Sequence, residues 1–423
     1  MQTNGSKRDA SARLPTAQQT SYNGHGWRSR DRDSSHILIT GGAGFIGTNL
    51  ADRLLSQGRR VLIFDNLSRS GVKTNLAWLR ARHPDRLTVQ LGDLRHEGQV
   101  TEAVRQASAV FHFAAQVAVT TSVADPQHDF AVNAQGTLHL LEAVRHFAPA
   151  APVFFTSTNK VYGDLADIPL FSDNARYEPQ DATVRQYGVG EDRSLSFHGP
   201  YGCSKGVADQ YILDYCRTFD LCGAVFRMSC IYGPHQFGNE DQGWVAHFIL
   251  RALQGQPITL YGDGKQVRDI LYVDDLLDAL LWAHDHIEQV SGEAFNIGGG
   301  PANSVSLLEL IDLIEELGDR TVDLQFSGWR PGDQRYYVSD TRKFTAAAGW
   351  RPQVDIVTGV RRLYRWLREH RVPNTQPQLA HWPLVTAPSI PGDPPDLSHK
   401  REAESEQTEH VEPLERYFIT APR

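Results

Sequence analysis

The sequence predicts an α/β fold: a Rossmann-type doubly wound parallel sheet followed by a smaller C-terminal α/β domain for a substrate. Three observations carry this reading. Short β-branched runs alternate with helical periodicity up to about Arg227, a glycine-rich turn joins the first strand to the first helix, and beyond Arg227 the alternation loosens. Such alternation requires right-handed βαβ crossovers, which cover both faces of a parallel sheet with helices.

Taken in order, strands are expected at 36–40, 61–64, 87–91, 109–113, 153–157 and 223–227, with helices at 45–57, 99–106, 130–147 and 202–218 between them. Past residue 227, segments 243–255 and 307–317 have helical patterns separated by loops rich in Gly, Asp and aromatic residues. The expected organisation is a dinucleotide-binding domain over 36–227, then a mainly substrate-binding domain over 228–372 with segments that return to the sheet. Residues 1–35 and 373–423 carry too little apolar material to offset the entropy of ordering, so both tails are expected to be disordered. The second tail is Pro-rich (Pro383, Pro388, Pro391, Pro394, Pro395) and then acidic, and its 414–419 segment is a candidate for docking.

Composition excludes several classes. At 423 residues with 40% hydrophobic and 22% charged residues, the chain holds enough apolar material for a large core. A net charge of −8 argues against nucleic-acid or anionic-membrane partners, which need a basic face. No apolar run approaches the roughly 18 residues of a membrane span, and the first 35 residues contain no apolar core of a secretory leader. The four cysteines (Cys203, Cys216, Cys222, Cys230) lack C-x-x-C or metal-ligand spacing. They read as free thiols, which gives the expectation of a cytoplasmic protein without a metal site.

In Thr40-Gly-Gly-Ala-Gly-Phe-Ile-Gly47 the glycines Gly41, Gly44 and Gly47 recur every third residue between a strand and a helix. Glycine permits the tight turn and a close backbone approach to a pyrophosphate, and the following helix N-terminus (Phe45, Ile46) offers free N–H groups. Asp65 ends the next strand about 20 residues beyond, where an acid grips a ribose 2′-hydroxyl and repels a 2′-phosphate. NAD is therefore expected rather than NADP, with Arg69 the one nearby cation. Asn66 neighbours that acid. Asp93 and Leu94 follow the third strand, where the aspartate either reaches the adenine or caps its loop. Ala114 and Ala115 either leave room for a cofactor or pack a helix start.

Tyr201-Gly-Cys-Ser-Lys205 sets a phenol and an ammonium four residues apart, on one face of a helix. The ammonium is expected to lower the tyrosine pKa and make it a general base. Thr158, at the end of the fifth strand with Ser157 beside it, offers a hydroxyl to the same substrate oxygen. The catalytic candidates are thus Thr158, Tyr201 and Lys205. His112 reads as a core residue, and His198 as merely near the site.

With these motifs the chain resembles the extended short-chain dehydrogenase/reductases of the nucleotide-sugar epimerase and dehydratase group, over about residues 37–366. Ser157-Thr-Asn-Lys-Val-Tyr-Gly-Asp-Leu165, Pro200-Tyr-Gly-Cys-Ser-Lys-Gly206, Asp241-Gln-Gly-Trp-Val245 and Gly264-Lys-Gln-Val-Arg-Asp269 are similar to the CDP-paratose 2-epimerase subfamily, as are Ala294-Phe-Asn-Ile-Gly-Gly299 and Ser304-Val-Ser-Leu-Leu-Glu-Leu310. A departure is Gly199, where that subfamily usually has serine. The resemblance implies an isomerase with bound NAD that oxidises a nucleotide-diphosphate sugar to a ketone, lets it rotate and reduces it again, at sugar C2. A UDP-sugar 4-epimerase would use the same residues. Dehydratases of the group carry Asp-Glu after the threonine, and Asn159-Lys160 stand here, which disfavours elimination. A non-catalytic NAD-binding sensor would be expected to lose Tyr201 or Lys205. Substrate-side candidates are Asn159, Gln242, Trp244, Arg268 and Arg330, with either arginine alternatively an interdomain ion pair. The family also implies a homodimer or homotetramer through the helices at 130–147 and 201–218.

Overall fold

Seven runs rich in β-branched and aromatic residues form the central sheet; six are buried on both faces along most of their length, and the third, at the sheet edge, is only partly buried. They are β1 His36–Thr40, β2 Val61–Asp65, β3 Leu87–Leu91, β4 Ala107–His112, β5 Val153–Thr158, β6 Gly223–Met228 and β7 Glu293–Ile297. All pair in parallel, in the order β7-β6-β5-β4-β1-β2-β3. The order reverses between β1 and β4, which opens a crevice outside the carboxyl ends of those strands. The computed structural model describes residues 35–371 apart from 331, so the two expected tails and the 414–419 segment lie, but for Ser35, outside the described residues.

Alternation along each strand builds two cores. On one face Ile37, Ile39, Ile63 and Phe154 pack against helices Phe45–Ser56, Val72–Arg82 and Val273–Asp285. On the other, Leu38, Val110 and Phe155 meet Val100, Leu140, Val144 and Ile212 from helices Glu97–Val104, Gly136–Phe147 and Gly199–Phe219. A third core holds the C-terminal lobe. There Ile249 of helix Trp244–Leu253, Leu310 of Leu307–Gly318 and Leu363 of Ile356–His370 surround Ile270 of strand Val267–Tyr272. Ser306 and Glu309 close a capping box at the start of the second of these helices.

Two features set the site. The segment expected as one helix over 130–147 is instead helix Pro126–Phe130, a π turn over Ala131–Gln135 and helix Gly136–Phe147. The wider turn leaves Asn133 buried among polar partners: its Nδ2 donates to Gln116 O at 3.0 Å and to Ser204 Oγ at 3.0 Å. The second is a buried pair, Arg227 at the end of β6 donating from Nε and Nη2 to the two oxygens of Asp209, each at 3.0 Å. Both side chains are almost fully buried, so each charge relies on the other. His112 lies in the core between Thr40 Oγ1 at 2.7 Å and Thr137 Oγ1 at 3.0 Å, where burial and then the Lys205 charge push it down to about 3.

Candidate active site

At the crevice, β1 ends in Thr40 and the chain turns through Gly41 with φ +67°, a conformation that favours glycine. A Cβ on Gly41 would stand 2.7 Å from the Ala114 nitrogen, and one on Gly47 2.4 Å from the Gly41 carbonyl oxygen. The turn is thus pressed against the end of β4 and against its own helix, with backbone alone at the surface. A cleft of about 600 Å³ lies over it, a volume within the range of small-molecule sites. Gly41, Gly44, Phe45, Ile46 and Gly47 line its floor, and Asp65, Asn66, Asp93, Leu94, Ala114 and Ala115 its wall.

The acidic groups of that wall are held by their surroundings. Asp65 accepts from the Ala43 amide at 3.1 Å and the Leu67 amide at 2.8 Å, so it braces the glycine turn while facing the cleft. Burial pushes its carboxyl up, and the two amides and Arg69 pull it back. Asp93 accepts from Arg95 Nε and Nη2 at 2.9 Å each and from Asn66 Nδ2 at 2.9 Å. The Arg95 hydrogen bond is the chief reason its carboxyl sits well below the usual range. Asp93 therefore caps its loop and lines the cleft at the same time.

Thr158, Tyr201 and Lys205 converge on the other side of the same cleft. Thr158 ends β5, and Tyr201 and Lys205 lie in the first turns of the Gly199–Phe219 helix. Lys205 Nζ donates to Thr156 O at 2.6 Å and lies 4.0 Å from the centre of the Phe155 ring. The expected lowering of the Tyr201 pKa is reversed here. Burial pushes the phenol up to about 12, while Thr158 and Arg69 pull it down and Asp129 raises it further. Lys205 is itself driven down to about 7 by burial, against the Asp209 and Asp129 carboxylates. Desolvation of both groups outweighs the effect that their spacing alone implies.

Three buried polar atoms in the cleft wall have no hydrogen-bond partner among the described residues: Ser157 Oγ, Gln116 Oε1 and Gln236 Oε1. Orphaned acceptors and a hydroxyl beside a side-chain-free turn fit an extended polar ligand such as a dinucleotide. Neither glutamine stands in a motif, so no sequence signal marks them.

A family model for GDP-mannose 4,6 dehydratase matches residues 38–363. The chain belongs to that family. It thereby joins the extended short-chain dehydrogenase/reductase group of nucleotide-sugar epimerases and dehydratases. It is 44% identical to a CDP-paratose 2-epimerase of Salmonella typhi, over 78% of this chain and 98% of the relative. The UDP-glucose 4-epimerase of Thermus thermophilus, solved in complex with NAD, is similar in structure with TM-score 0.66 and 31% identity, covering 79% of this chain and 99% of that one. The dTDP-glucose 4,6-dehydratase of Streptomyces venezuelae, with NAD and TYD bound, gives 0.68 and 29%, over 79% and 98%.

Within this family frame the substrate-side candidates divide. Gln242 and Trp244 line the cleft, Gln242 accepting from Arg69 across its mouth and Trp244 Nε1 donating to Cys230 Sγ at 3.3 Å. Asn159, Arg268 and Arg330 are not among the lining residues. Asn159 Nδ2 donates to Gln334 Oε1 at 3.2 Å, and Lys160 Nζ donates to Gly332 O at 3.2 Å. Arg268 is buried, with Nη2 donating to Asp333 Oδ1 at 2.8 Å and Gln334 O at 2.6 Å. Arg330 lies over the Tyr261 ring, donates to Glu240 O at 2.9 Å and has Asp241 3.6 Å away. Both arginines are paired with carboxylates of their own C-terminal lobe, not across to the dinucleotide-binding domain as their alternative reading had it. Tyr162 and Asn296 bond to each other at 2.8 Å in the core, and Asp269 staples the Gly300 amide at 3.0 Å. His198 is outside the cleft lining, beside Asp164 at 3.4 Å.

Gly47→Ala tests the turn. Its methyl must displace backbone, so the purified variant is expected to keep its helical content by circular dichroism and to lose bound dinucleotide about tenfold or more. Retention of the unsubstituted protein's content by mass spectrometry would contradict the assignment of this turn.

Proposed function

We propose that the protein is an NAD-dependent nucleotide-sugar epimerase that inverts C2 of its sugar, of the CDP-paratose to CDP-tyvelose type. What carries the reading is likeness along nearly the whole of a CDP-paratose 2-epimerase, combined with Thr158, Tyr201 and Lys205 meeting over one cleft. Asn159-Lys160 supports it from the other direction. Where the dehydratases carry Asp-Glu, an amide cannot serve as the acid of that pair and a lysine has the wrong charge to be its partner. Here the two are turned to Gln334 and Gly332.

Gly41, Gly44, Gly47 and the first amides of their helix would hold the pyrophosphate, and Asp65 a ribose hydroxyl, which favours NAD over NADP. Bound there, NAD would supply the hydride acceptor for oxidation of the sugar carbon and the hydride donor for its reduction. Tyr201 takes the hydroxyl proton as the ketone forms and gives it back on reduction. Thr158 donates a hydrogen bond to the same oxygen. Lys205 offers an ammonium to the ribose and to the phenolate. Gln242 and Trp244 face the sugar nucleotide from the C-terminal lobe.

Two further features belong to this reading. Val123, Phe130, Phe147, Tyr211 and Phe219 are large apolar side chains left exposed on the helices between Val119 and Phe219. Their burial against a second copy would form a homodimer, alone or within a homotetramer. A monomer in light scattering at micromolar concentration would reject that assembly. No helix among the described residues is long and apolar enough to cross a membrane, and all four cysteines are free thiols, which suits a reducing cytoplasm.

The function is tested by offering CDP-, UDP-, GDP- and dTDP-sugars and following epimers by NMR. CDP-paratose is expected to be converted, with Tyr201→Phe slower by about 100- to 10,000-fold and still holding NAD. Thr158→Val is expected to lose less, about 10- to 100-fold. Turnover only of a UDP-sugar at C4 would overturn the C2 reading, and a fully active Tyr201→Phe would overturn the role of the phenol.

A further inference from the structure

A buried carboxylate beside the catalytic groups has no part in the chemistry described above. Asp129 sits in the short helix Pro126–Phe130, which packs against the Gly199–Phe219 helix, and its residue exposure is 0%. Ser204 Oγ donates to its Oδ2 and Asn133 Nδ2 to its Oδ1 at 3.2 Å. Both partners are neutral, so they stabilise the carboxylate without cancelling its charge. Ser204 immediately precedes Lys205 in the chain. Asp209, the other acid acting on Lys205, has both oxygens bound by Arg227, and that pair carries no net charge. Asp129 is a buried carboxylate with no ion-pair partner among the described residues, held one residue away from Lys205 through Ser204, and it adds to the larger influence of Asp209 on that lysine.

We propose that Asp129 is a positioning residue: its carboxylate, anchored through Ser204 to the catalytic helix, is a counter-charge that helps keep Lys205 protonated at working pH. The proposal rests on the reading of Lys205 as a member of the catalytic set. It also gives the π turn a purpose, since Asn133, carried inward there, is the second donor that holds the carboxylate.

The charges around these groups set the sign. Burial drives Lys205 down to about 7, while Asp209 from its own helix and Asp129 from the short helix raise it. His112, facing from β4, is pushed down to about 3 and is neutral at working pH. On Asp129 itself burial acts upward, and the Ser204 hydrogen bond, Lys205 and His128 act downward. Tyr201 feels Asp129 as a raising charge and Arg69 as a lowering one. Removing one negative charge beside a buried amine lowers its midpoint by on the order of one pH unit. The charged form of Lys205 would then be less favoured than in the unsubstituted protein.

The test is a titration of Lys205 in full-length protein carrying ¹³C-labelled lysine, with and without NAD, with the resonance assigned from Lys205→Arg. In Asp129→Asn the Lys205 midpoint is expected about one pH unit lower. The alkaline limb of turnover against pH should move by the same amount. Asp129→Glu keeps the charge and is expected to keep the midpoint. Ser204→Ala removes the anchoring hydrogen bond and spares the carboxylate, so its Lys205 midpoint is expected to fall, but by less than in Asp129→Asn. Should Asp129→Asn fail to fold, Asp129→Ser takes its place with the same expected shift. An unmoved midpoint in the neutral variants, or an equal shift in Asp129→Glu, would overturn the proposal. The titration needs no substrate, so an absence of epimerisation in the unsubstituted protein would count against the functional reading alone.

Discussion

The constraint on which the site depends is the approach of bare backbone at the sheet's switch point. Gly41 leaves less than a methyl group's clearance from Ala114, and Gly47 leaves less from the Gly41 carbonyl. That contact ties the glycine turn to β4 and directs the first helix, with its unpaired amides, at the cleft. Asp65 reinforces the same geometry from β2 through the Ala43 amide. The remaining features of the cleft are arranged on this frame: small residues at Ala114 and Ala115, orphaned acceptors on Gln116 and Gln236, and the Thr158 and Tyr201 hydroxyls at the far wall.

Around the reacting groups, burial and charge are set against each other. Desolvation disfavours the charged forms of both Tyr201 and Lys205. The lysine is kept near its charged form by acids that are themselves buried, one locked to Arg227 and the other held by Ser204 and Asn133. Such a site is balanced at neutrality, so a charge arriving with a ligand can tip it. The distinction between epimerase and dehydratase depends on a similar placing of polar groups. Residues 159 and 160 carry an amide and an ammonium that are drawn into hydrogen bonds with the C-terminal lobe.

Most of this frame was legible in the sequence. The first five strands and the sixth announce themselves as short apolar runs, and the glycine spacing fixes where the first helix begins. β7 was anticipated only as a segment returning to the sheet, because a single short strand after a long lobe has no periodic context. Helix Val72–Arg82 escaped because it buries only Val72, Asn75, Leu76 and Leu79 amid basic residues. The π turn has no sequence signature, since an ordinary helical pattern runs through it. Thr158, Tyr201 and Lys205 line one cleft, Thr158 from a strand end and the other two from one helix. The sign of the Tyr201 shift was missed because motif spacing gives charge proximity and says nothing of burial. Arg268 and Arg330 were chosen for their charge, and Asp333 and Asp241, which engage them, are distant in sequence from one or both.

The claim most open to direct test is that one hydrogen leaves the sugar carbon and returns to its other face inside the closed cycle. Epimerisation run in D₂O and read by NMR addresses it. The account predicts a product whose inverted carbon carries only the substrate's own hydrogen. Deuterium at that carbon would mean deprotonation beside a carbonyl, and would contradict oxidation, rotation and reduction over Tyr201.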